Sequence, residues 1–367
     1  MKILFDHQIF NWQIYGGISR YHYELLKSLP AYGLDVEIAV KYSNNYYLTK
    51  DEHSYCKRFF PGFNLRIRNE FIRNSNKSYT LERLSTQMFD IFHPTFYGDY
   101  FLESGLLKNK AFVLTVHDLI HERFYEKEPS IPQKHNLINR ADRIIAISEN
   151  TKNDILAYLP KIDPDKIKVI YHGSSLKKLL PFADSVKLKV TNREYVLFVG
   201  DRSEYKNFDR FIKAFALLVK KYKDLLLVCT GKSFTHNEIV ILKELGLQEK
   251  VISISVDDVK LLCLYKHAQF FVFPSLYEGF GIPILEAFDA GCPIVLSKAS
   301  CFPEIAGDAG FYFDPYDIES MYASMEQVLI SSSIKTDLVL KGYERSKFFS
   351  WGKTAKLTAD LYKTLKR

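Results

Sequence analysis

The sequence of 367 residues contains few cysteines and no pattern that would pair them. Its five cysteines are scattered, and no two of them form a Cys-x-x-Cys motif; they are Cys56, Cys229, Cys263, Cys292 and Cys301. A disulfide framework and a zinc site are therefore disfavoured, and free thiols in a reducing compartment are expected.

Long apolar runs are also missing from the chain. No stretch is long and apolar enough to span a bilayer, and Asp6 interrupts the apolar residues of the N-terminus too early for a signal peptide. We therefore expect a cytoplasmic protein, at most bound peripherally to the inner face of the plasma membrane.

Two common ligand-binding motifs are absent where they would be expected. No Gly-x-Gly-x-x-Gly pattern follows the first predicted strand, which disfavours a dinucleotide-binding fold. No Asp-x-Asp motif follows the carboxyl end of a predicted strand, and Asp257-Asp258 is better explained as a helix cap. The sequence therefore predicts neither a metal nor a cofactor.

The composition is that of a globular protein of more than one domain. Fifty basic residues outweigh 43 acidic ones, for a net charge of +7. This moderate excess suits anionic ligands or a lipid surface, and it is too diffuse to indicate nucleic-acid binding.

One stretch, from Phe273 to Ala287, has the pattern of a strand, a turn and the start of a helix. Gly279 and Gly281 allow close backbone approach, and Pro283 suits the first turn of a helix. The turn residues Gly279, Phe280, Gly281 and Ile282 would then present free N–H groups and the positive end of the helix dipole. This arrangement predicts a phosphate-binding turn.

Two carboxylates flank this turn. Glu278 lies in it and Glu286 lies on the following helix, so both can face one crevice. Because a carboxylate repels phosphate, its natural partner there is a hydroxyl group. The pattern favours a nucleotide-sugar pocket with Glu278 on the sugar and Glu286 on the ribose, and the alternative is an ordinary surface turn.

Alternating strands and helices predict an α/β fold with two doubly wound parallel sheets. Predicted strands at 2–5, 36–40, 90–94, 111–118, 143–148 and 168–171 form the first sheet, and those at 195–200, 225–230, 251–256, 270–273, 293–296 and 310–313 form the second. We assign residues 1–175 to the first domain and 190–350 to the second. The segment 174–192 is the predicted connection, and a helix over 351–367 closes the first domain.

Two motifs of the first domain lie at predicted strand ends, where parallel sheets bind ligands. Gly16-Gly17 separates the first strand from the first helix, and His117-Asp118 ends a later strand. The alternatives are a simple flexible turn for the glycines and a structural hydrogen-bonded pair for His117 and Asp118.

The segment 57–83 is basic and aromatic. It could lie on an anionic membrane surface, with its rings in the interface and its cations at the head groups. It could equally be a solvated helical hairpin that covers the sheet.

The order of Gly200, Arg202, Lys206, Glu278 and Glu286 resembles that of the retaining GT-B glycosyltransferases of family 4, the group 1 type that includes bacterial mannosyl- and glucosyltransferases. The resemblance extends over essentially the whole chain, because Gly16-Gly17, His117-Asp118 and the helix from Trp351 match as well. It implies two Rossmann-like domains that face a cleft, with the C-terminal helix crossing back to the first.

The resemblance also implies roles for individual residues. Arg202 and Lys206 would bind the donor diphosphate, Glu278 the transferred sugar, Glu286 the ribose, and backbone near Val256 the base. His117 would contact the transferred sugar, and Asp118 and His121 are candidates for the acceptor side. The residue before Val256 is Ser255, where the family commonly has glycine, so the details of base recognition stay open.

The implied function is retaining transfer of a hexose to a glycan, which is expected to be lipid-linked, in the synthesis of a bacterial surface polysaccharide. Mannose from GDP-mannose is the first expectation, because Tyr15-Gly16-Gly17-Ile18-Ser19-Arg20 resembles bacterial mannosyltransferases. UDP-linked glucose, galactose or N-acetylhexosamine is the alternative donor. A non-catalytic scaffold that binds nucleotide sugars and an epimerase on the same fold are the rival functions.

Overall fold

The computed structural model describes residues 1–50, 56–58, 65–103, 105–107 and 109–365. The chain divides into two compact units. Unit 1 comprises Met1–His172 and Trp351–Arg367, and unit 2 comprises Gly173–Ser350. Elements are numbered along the chain.

Unit 1 is built on a six-stranded sheet, among the described residues, in the order β2-β1-β5-β6-β7-β8 with every pair parallel. A short parallel pair, β3 and β4, lies apart from it. The strands are β1 (Lys2–Phe5), β2 (Asp35–Ile38), β3 (Tyr42–Ser43), β4 (Lys57–Arg58), β5 (Ile91–His93), β6 (Ala111–Val116), β7 (Arg143–Ala146) and β8 (Ile167–Val169). The helices are α1 (Gln8–Trp12), α2 (Gly17–Ser28), α3 (Tyr46–Lys50), α4 (Leu65–Ser85), α5 (Ile120–Phe124), α6 (Ser130–Arg140), α7 (Glu149–Tyr158) and α16 (Trp351–Lys363).

Helices cover both faces of this sheet, which is why its central strands are apolar along their whole length. All six residues of β6 are buried. Tyr21 and Leu25 of α2 pack in the layer on one face, and Leu137 of α6 and Ile155 of α7 pack in the layer on the other.

The C-terminal helix α16 belongs to unit 1, as the sequence predicts. Trp351, Ala355, Ala359 and Tyr362 recur at helical spacing, and all four are buried in the same layer as α2. Small alanines at the centre of this stripe allow α16 to approach α2 closely.

The basic aromatic segment contains one long helix, α4, rather than a hairpin, in its described part. Ile72, Asn76, Thr80 and Leu84 form its buried stripe, at a spacing of four residues. Its other described residues face solvent or are half-buried, with Phe71 exposed. Residues 59–64 and the side chains of 57, 58 and 65–68 lie outside the described part, and membrane binding by this segment stays a prediction.

Unit 2 also contains a six-stranded parallel sheet in its described residues, in the order β11-β10-β9-β12-β13-β14. The strands are β9 (Tyr195–Phe198), β10 (Leu226–Thr230), β11 (Val251–Ile254), β12 (Phe270–Phe273), β13 (Ile294–Ser297) and β14 (Gly310–Phe313). The helices are α8 (Leu180–Ala183), α9 (Phe208–Lys221), α10 (His236–Glu244), α11 (Asp258–His267), α12 (Ile282–Ala290), α13 (Phe302–Ala306), α14 (Ile318–Ile330) and α15 (Ser332–Ser346). The predicted α/β class with two parallel sheets is confirmed.

The segment 174–192, predicted as a connection, is folded onto unit 2. It contains α8 and short 3-10 turns, which contact α11 and α12. Leu176 and Ala183 are fully buried, because apolar residues in this lysine-rich stretch recur often enough to pack on one side.

Candidate active site

The glycine-rich turn of unit 2 leads from β12 into α12. Gly281 precedes the helix at a φ of +85°, and a Cβ there would lie 3.1 Å from Ile284 Cδ1 and 3.2 Å from Phe302 Cε1. Both the left-handed backbone and the crowding therefore favour glycine. Helix α12 begins at Ile282 with Pro283 in its first turn, as predicted, so its N-terminal amides face the turn.

The predicted residues Lys206 and Glu278 meet at this turn. The Nζ of Lys206 lies 2.7 Å from Oε1 of Glu278, and the hydroxyl of Ser275 donates to the same oxygen at 2.7 Å. Both side chains are more than four-fifths buried, at 14% and 12% exposed. A cation and a carboxylate are thereby held at the glycine-rich turn, for which phosphate binding stays a prediction.

The electrostatics around Lys206 keep it charged. Burial alone would lower the pKa of Lys206, but Glu278, Tyr205 and Asp201 together raise it above its ordinary value. Burial alone would raise the pKa of Asp201. Lys206 and the hydrogen bonds from Ser203 outweigh this effect, so the pKa of Asp201 lies below its ordinary value. Lys206 therefore stays protonated, with its charge balanced by the neighbouring carboxylates.

Ser300 holds the backbone of Glu278 from the loop after β13. Its hydroxyl donates to the Glu278 carbonyl at 2.6 Å and accepts from the Glu278 N–H at 3.1 Å. Ser300 has a φ of +53°, which is uncommon for a residue other than glycine. The sequence analysis did not identify Ser300 or Ser275, since neither carries a distinctive local motif.

Arg202 has different partners from Lys206. Its Nε lies 2.5 Å from Oε1 of Glu238, its Nη2 donates to the carbonyls of Lys232 and Ser233, and it lies over the ring of Phe234 at 4.6 Å. Its Nη1 is buried without a hydrogen-bond partner in the described part of the chain. In this arrangement Arg202 fixes the start of α10, and its role toward a diphosphate stays a prediction.

Glu286 is buried on α12, where the hydroxyl of Tyr265 lies 3.3 Å from its Oε2. Burial, with a smaller contribution from Glu286, raises the pKa of Asp258 to about 7. The carboxyl groups of Asp258 and Glu286 thus lie near one another, and Asp257 caps α11 as predicted. The ring of Phe280 packs on Phe349, so Phe280 can offer a ligand only its backbone.

Gly16 and Gly17 lie at the start of α2 in unit 1. Gly16 is extended, and a Cβ there would lie 2.5 Å from Oε1 of Gln13, which accepts a hydrogen bond from the N–H of Ser19. The glycine therefore lets Gln13 cap the first turn of α2.

The ring of His117 is buried at the end of β6 among other aromatic rings. It lies 5.2 Å from the ring of Tyr21, 5.8 Å from that of His22 and 5.9 Å from that of His172. Burial lowers the pKa of His117 to about 4, even though Asp118 acts in the opposite direction. Its Nε2 is buried and has no hydrogen-bond partner within the described residues. A neutral imidazole is the resulting species at neutral pH.

These rings belong to a cluster of four buried histidines, namely His22, His93, His117 and His172. The hydroxyl of Thr115 hydrogen-bonds two groups. It lies 2.9 Å from Nε2 of His93 and 3.0 Å from the hydroxyl of Tyr21. Nδ1 of His93 lies 2.5 Å from the hydroxyl of Tyr362 on α16. Burial lowers the pKa of all four rings. Only His117 was identified from the sequence, because the four lie on separate elements.

The two acceptor-side candidates lie just beyond His117. Asp118 caps the next turn, since its Oδ1 accepts from the N–H of Ile120 at 3.1 Å. His121 is exposed on α5, with Nδ1 3.3 Å from the hydroxyl of Ser130.

Within the described ranges, no group of three or more His, Cys, Asp or Glu side chains could hold a metal ion. No helix in those ranges combines the length and apolarity that a membrane crossing requires. Independence from metal stays a prediction.

Comparison with known proteins covers both halves of the chain. The profile of the family described as Glycosyltransferase Family 4 matches residues 15–178, and that described as Glycosyl transferases group 1 matches residues 182–345. O-antigen chain mannosyltransferase B of Escherichia coli is 29% identical over 75% of this chain and 74% of that protein. A serotype-specific mannosyltransferase, WbdA, of the same species is 26% identical over 68% of this chain, but the match spans only 33% of that longer protein.

Solved structures show the same architecture. Sucrose-phosphate synthase from Thermosynechococcus elongatus matches with a TM-score of 0.78 and 18% identity, over 99% of this chain and 98% of that one. Because two family profiles, the two parallel sheets and this match agree, the chain belongs to the group 1, family 4 glycosyltransferases, and it is a transferase enzyme with the GT-B fold.

Proposed function

We propose that this enzyme transfers mannose from GDP-mannose, with retention, to a lipid-linked glycan in the synthesis of a bacterial surface polysaccharide. The observation that carries the proposal is the Lys206–Glu278 pair at the glycine-rich turn of unit 2. The ammonium of Lys206 suits a phosphate, and the carboxylate of Glu278 suits a sugar hydroxyl. A nucleotide sugar has both groups adjacent.

The diphosphate would bind beside the Lys206 ammonium, which the fold holds in place. The amides at the start of α12 and the ammonium of Lys206 face the same turn. Negative charge builds on the diphosphate as it departs, so a cation held there stabilises the transition state more than the ground state. Lys206 is therefore proposed as the main electrostatic catalyst, and Arg202 as a second cation of this region.

The sugar and nucleoside would bind to the two glutamates. Oε1 of Glu278 accepts from Lys206 and Ser275, which orients Oε2 for a sugar hydroxyl. Glu286 would accept from the ribose, and backbone near Val256 would meet the base. Gly279, Phe280, Gly281 and Ile282 contribute backbone amides to the phosphates.

The groups of unit 1 would serve the reacting centre. His117 is neutral, so it can hydrogen-bond a sugar hydroxyl without repelling positive charge that develops on the sugar. In the proposed front-side displacement, the bond from C1 to the phosphate oxygen breaks while C1 bonds the acceptor oxygen on the same face. The acceptor proton passes to the leaving phosphate, so no enzymic base is required. Gly16 and Gly17 would allow close approach of the donor, with Asp118 and His121 toward the acceptor.

The choice of mannose and of a glycan acceptor is supported by the names of the relatives. Two O-antigen or serotype-specific enzymes at 26–29% identity are mannosyltransferases. We place the reaction in the cytoplasm, on the inner membrane face, since the described cysteines are free thiols and a lipid-linked acceptor lies in a membrane.

Binding of nucleoside diphosphates tests the donor. Thermal unfolding of the protein with GDP, UDP or ADP should show the largest shift with GDP, because a ligand that binds only the folded state stabilises it by about 2.7 kcal/mol at 100 times its Kd. A shift confined to UDP would replace GDP-mannose by a UDP-sugar, and no shift with any of the three would contradict a nucleotide-sugar site.

Transfer itself is tested with Glu278→Gln. The control is Glu326→Gln, because Glu326 also pairs with a lysine of unit 2, at 2.8 Å from Lys221 Nζ. We expect Glu278→Gln to lower the rate of transfer from GDP-mannose at least about 100-fold, as for loss of one transition-state hydrogen bond. Glu326→Gln should transfer at the wild-type rate. Equal rates for both variants would contradict the proposed site. The anomeric configuration of the product, determined by NMR, tests retention, and isomerised free donor without acceptor would indicate an epimerase.

A further inference from the structure

The backbone of the segment 117–122, which begins at the end of β6, is held by two side chains from elsewhere in unit 1. The N–H of His117 donates to the hydroxyl of Tyr97 at 2.8 Å. The Nζ of Lys134, on α6, donates to the carbonyl of Asp118 at 2.5 Å. Successive residues of one turn are thus fixed by a phenol and an ammonium.

Lys134 is a buried cation with a complete set of partners. Its side chain is 5% exposed, and its Nζ also donates to Oε2 of Glu122 at 3.1 Å, where Glu122 is 1% exposed. Its third side faces the ring of Tyr97, with 5.0 Å between Nζ and the ring centroid. Nε2 of His135 lies 3.3 Å from Oε1 of Glu122, but neither atom has a hydrogen-bond partner among the described residues.

Burial of such a pair contributes little net stability. Desolvation costs several kcal/mol for each ion, and apolar residues of the same volume often stabilise a fold equally well. A buried lysine is therefore poorly explained by stability alone. What an apolar residue could not do here is donate a hydrogen bond to the Asp118 carbonyl.

We propose that Lys134 and Tyr97 are positioning residues that hold the backbone of His117 and Asp118 in the geometry required for sugar transfer. This inference rests on the proposed function, because it assumes that the segment 117–122 faces the reacting sugar. Glu122 pairs with Lys134 and helps to direct its Nζ at the Asp118 carbonyl. A displacement of about 1 Å at such a position can cost about 100-fold in rate.

The variant that separates positioning from stability is the double substitution Lys134→Met with Glu122→Gln. It removes both charges together, so that neither is stranded, and it retains the side-chain volume. We expect its melting temperature to fall by only a few degrees, because the Asp118 carbonyl loses its donor, its kcat to fall about 10- to 100-fold, and its affinity for GDP to be unchanged. GDP binding is expected to stay constant because the diphosphate site lies in unit 2.

A second variant, Tyr97→Phe, keeps the ring and removes the acceptor for the His117 N–H. We expect a smaller fall in kcat, about 5- to 10-fold, again without loss of GDP affinity. This variant tests the inference even if the double variant does not fold. The matched control is Lys2→Met with Glu37→Gln, which removes another ion pair of unit 1, between β1 and β2, and should leave kcat unchanged.

The outcomes are distinct. Wild-type kcat in both the double variant and Tyr97→Phe would overturn the positioning role, as would losses of kcat and GDP affinity in equal proportion. His117→Ala separates this result from a failure of the proposed function. If His117→Ala transfers mannose at the wild-type rate, the assigned site in unit 1 is wrong, whereas a slow His117→Ala beside fully active Lys134 and Tyr97 variants overturns only the present inference.

Discussion

Each unit contains a six-stranded parallel sheet in its described residues, but the polar groups at the two candidate sites differ in kind. Unit 2 holds charged pairs, Lys206 with Glu278 and Arg202 with Glu238. Unit 1 instead gathers four histidines whose pKa values burial lowers, together with hydroxyls, and its buried Lys134–Glu122 pair is directed at a backbone carbonyl. The same architecture can therefore build a charged site for an anion or a neutral polar one, and the difference lies in side chains at strand ends.

The largest expected effect is that of acid on unit 1. Each buried ring has a lowered pKa in the folded state, about 4 for His117 and about 3 for His93, so the unfolded state binds more protons below pH 6.5. Stability is therefore complete above about pH 6.5 and is lost as the pH falls through that value toward the folded pKa. At about pH 5 the loss is about 2 kcal/mol for one ring, and several kcal/mol for the cluster.

Tryptophan fluorescence can measure this loss, since both tryptophans, Trp12 and Trp351, belong to unit 1. The ring of Trp351 lies 5.6 Å from that of His172. The unfolding midpoint in urea should fall between pH 7 and pH 5. Asp118 and Lys134 also face His117, with opposite effects on its pKa, so their substitution should move the transition. A midpoint independent of pH over this range would contradict neutral buried histidines.

Next in size is the loss of the fixed positive charge in unit 2. Lys206→Met should reduce kcat by about 1,000-fold, or about 4 kcal/mol, because the leaving diphosphate loses its cation in the transition state. Steady-state kinetics with GDP-mannose provide the measurement. Lys221→Met is the control, since it removes a lysine from an exposed Lys–Glu pair of the same unit. A similar kcat for the two variants would mean that the charge in unit 2 is structural.

A smaller effect is expected from the link between α16 and the histidine cluster. Tyr362→Phe removes the hydroxyl that lies 2.5 Å from Nδ1 of His93. We expect unit 1 to lose about 1 kcal/mol, measured as a shift of the urea midpoint at pH 7. Because the ring stays, packing is preserved, and the affinity for GDP should not change. An unchanged midpoint would show that His93 bonds equally well elsewhere.

The smallest effect is expected at an ion pair remote from either site. Glu37 bonds Lys2 at 2.7 Å and also Arg83, and the three side chains are about one-quarter exposed. Glu37→Gln should cost at most about 1 kcal/mol and leave transfer unchanged, because solvent screens such pairs. A loss of activity here would show that an ion pair remote from the candidate sites also affects transfer.

The sequence predicted the parts of the site that depend on local pattern. The turn before α12 and the spacing of Glu278 and Glu286 can be identified in one short stretch, and Lys206 follows a recognisable strand. The partners could not be predicted in the same way. Arg202 pairs with Glu238 of α10, Ser300 reaches Glu278 from the loop after β13, and Lys134 reaches Asp118 from α6. Such contacts depend on how elements pack, which periodicity and spacing do not specify.

The inclusion of α16 in unit 1 has a consequence for synthesis of the chain on the ribosome. Unit 2 is an insertion within unit 1, so the sheet face that receives Trp351, Ala355, Ala359 and Tyr362 stays uncovered until residues Gly173–Ser350 have been translated. At about 5–20 residues per second, these roughly 180 residues take roughly 10 to 40 s. The residues Met1–His172 are thus translated first, but the fold of unit 1 is completed last. During that interval its apolar face is available to chaperones.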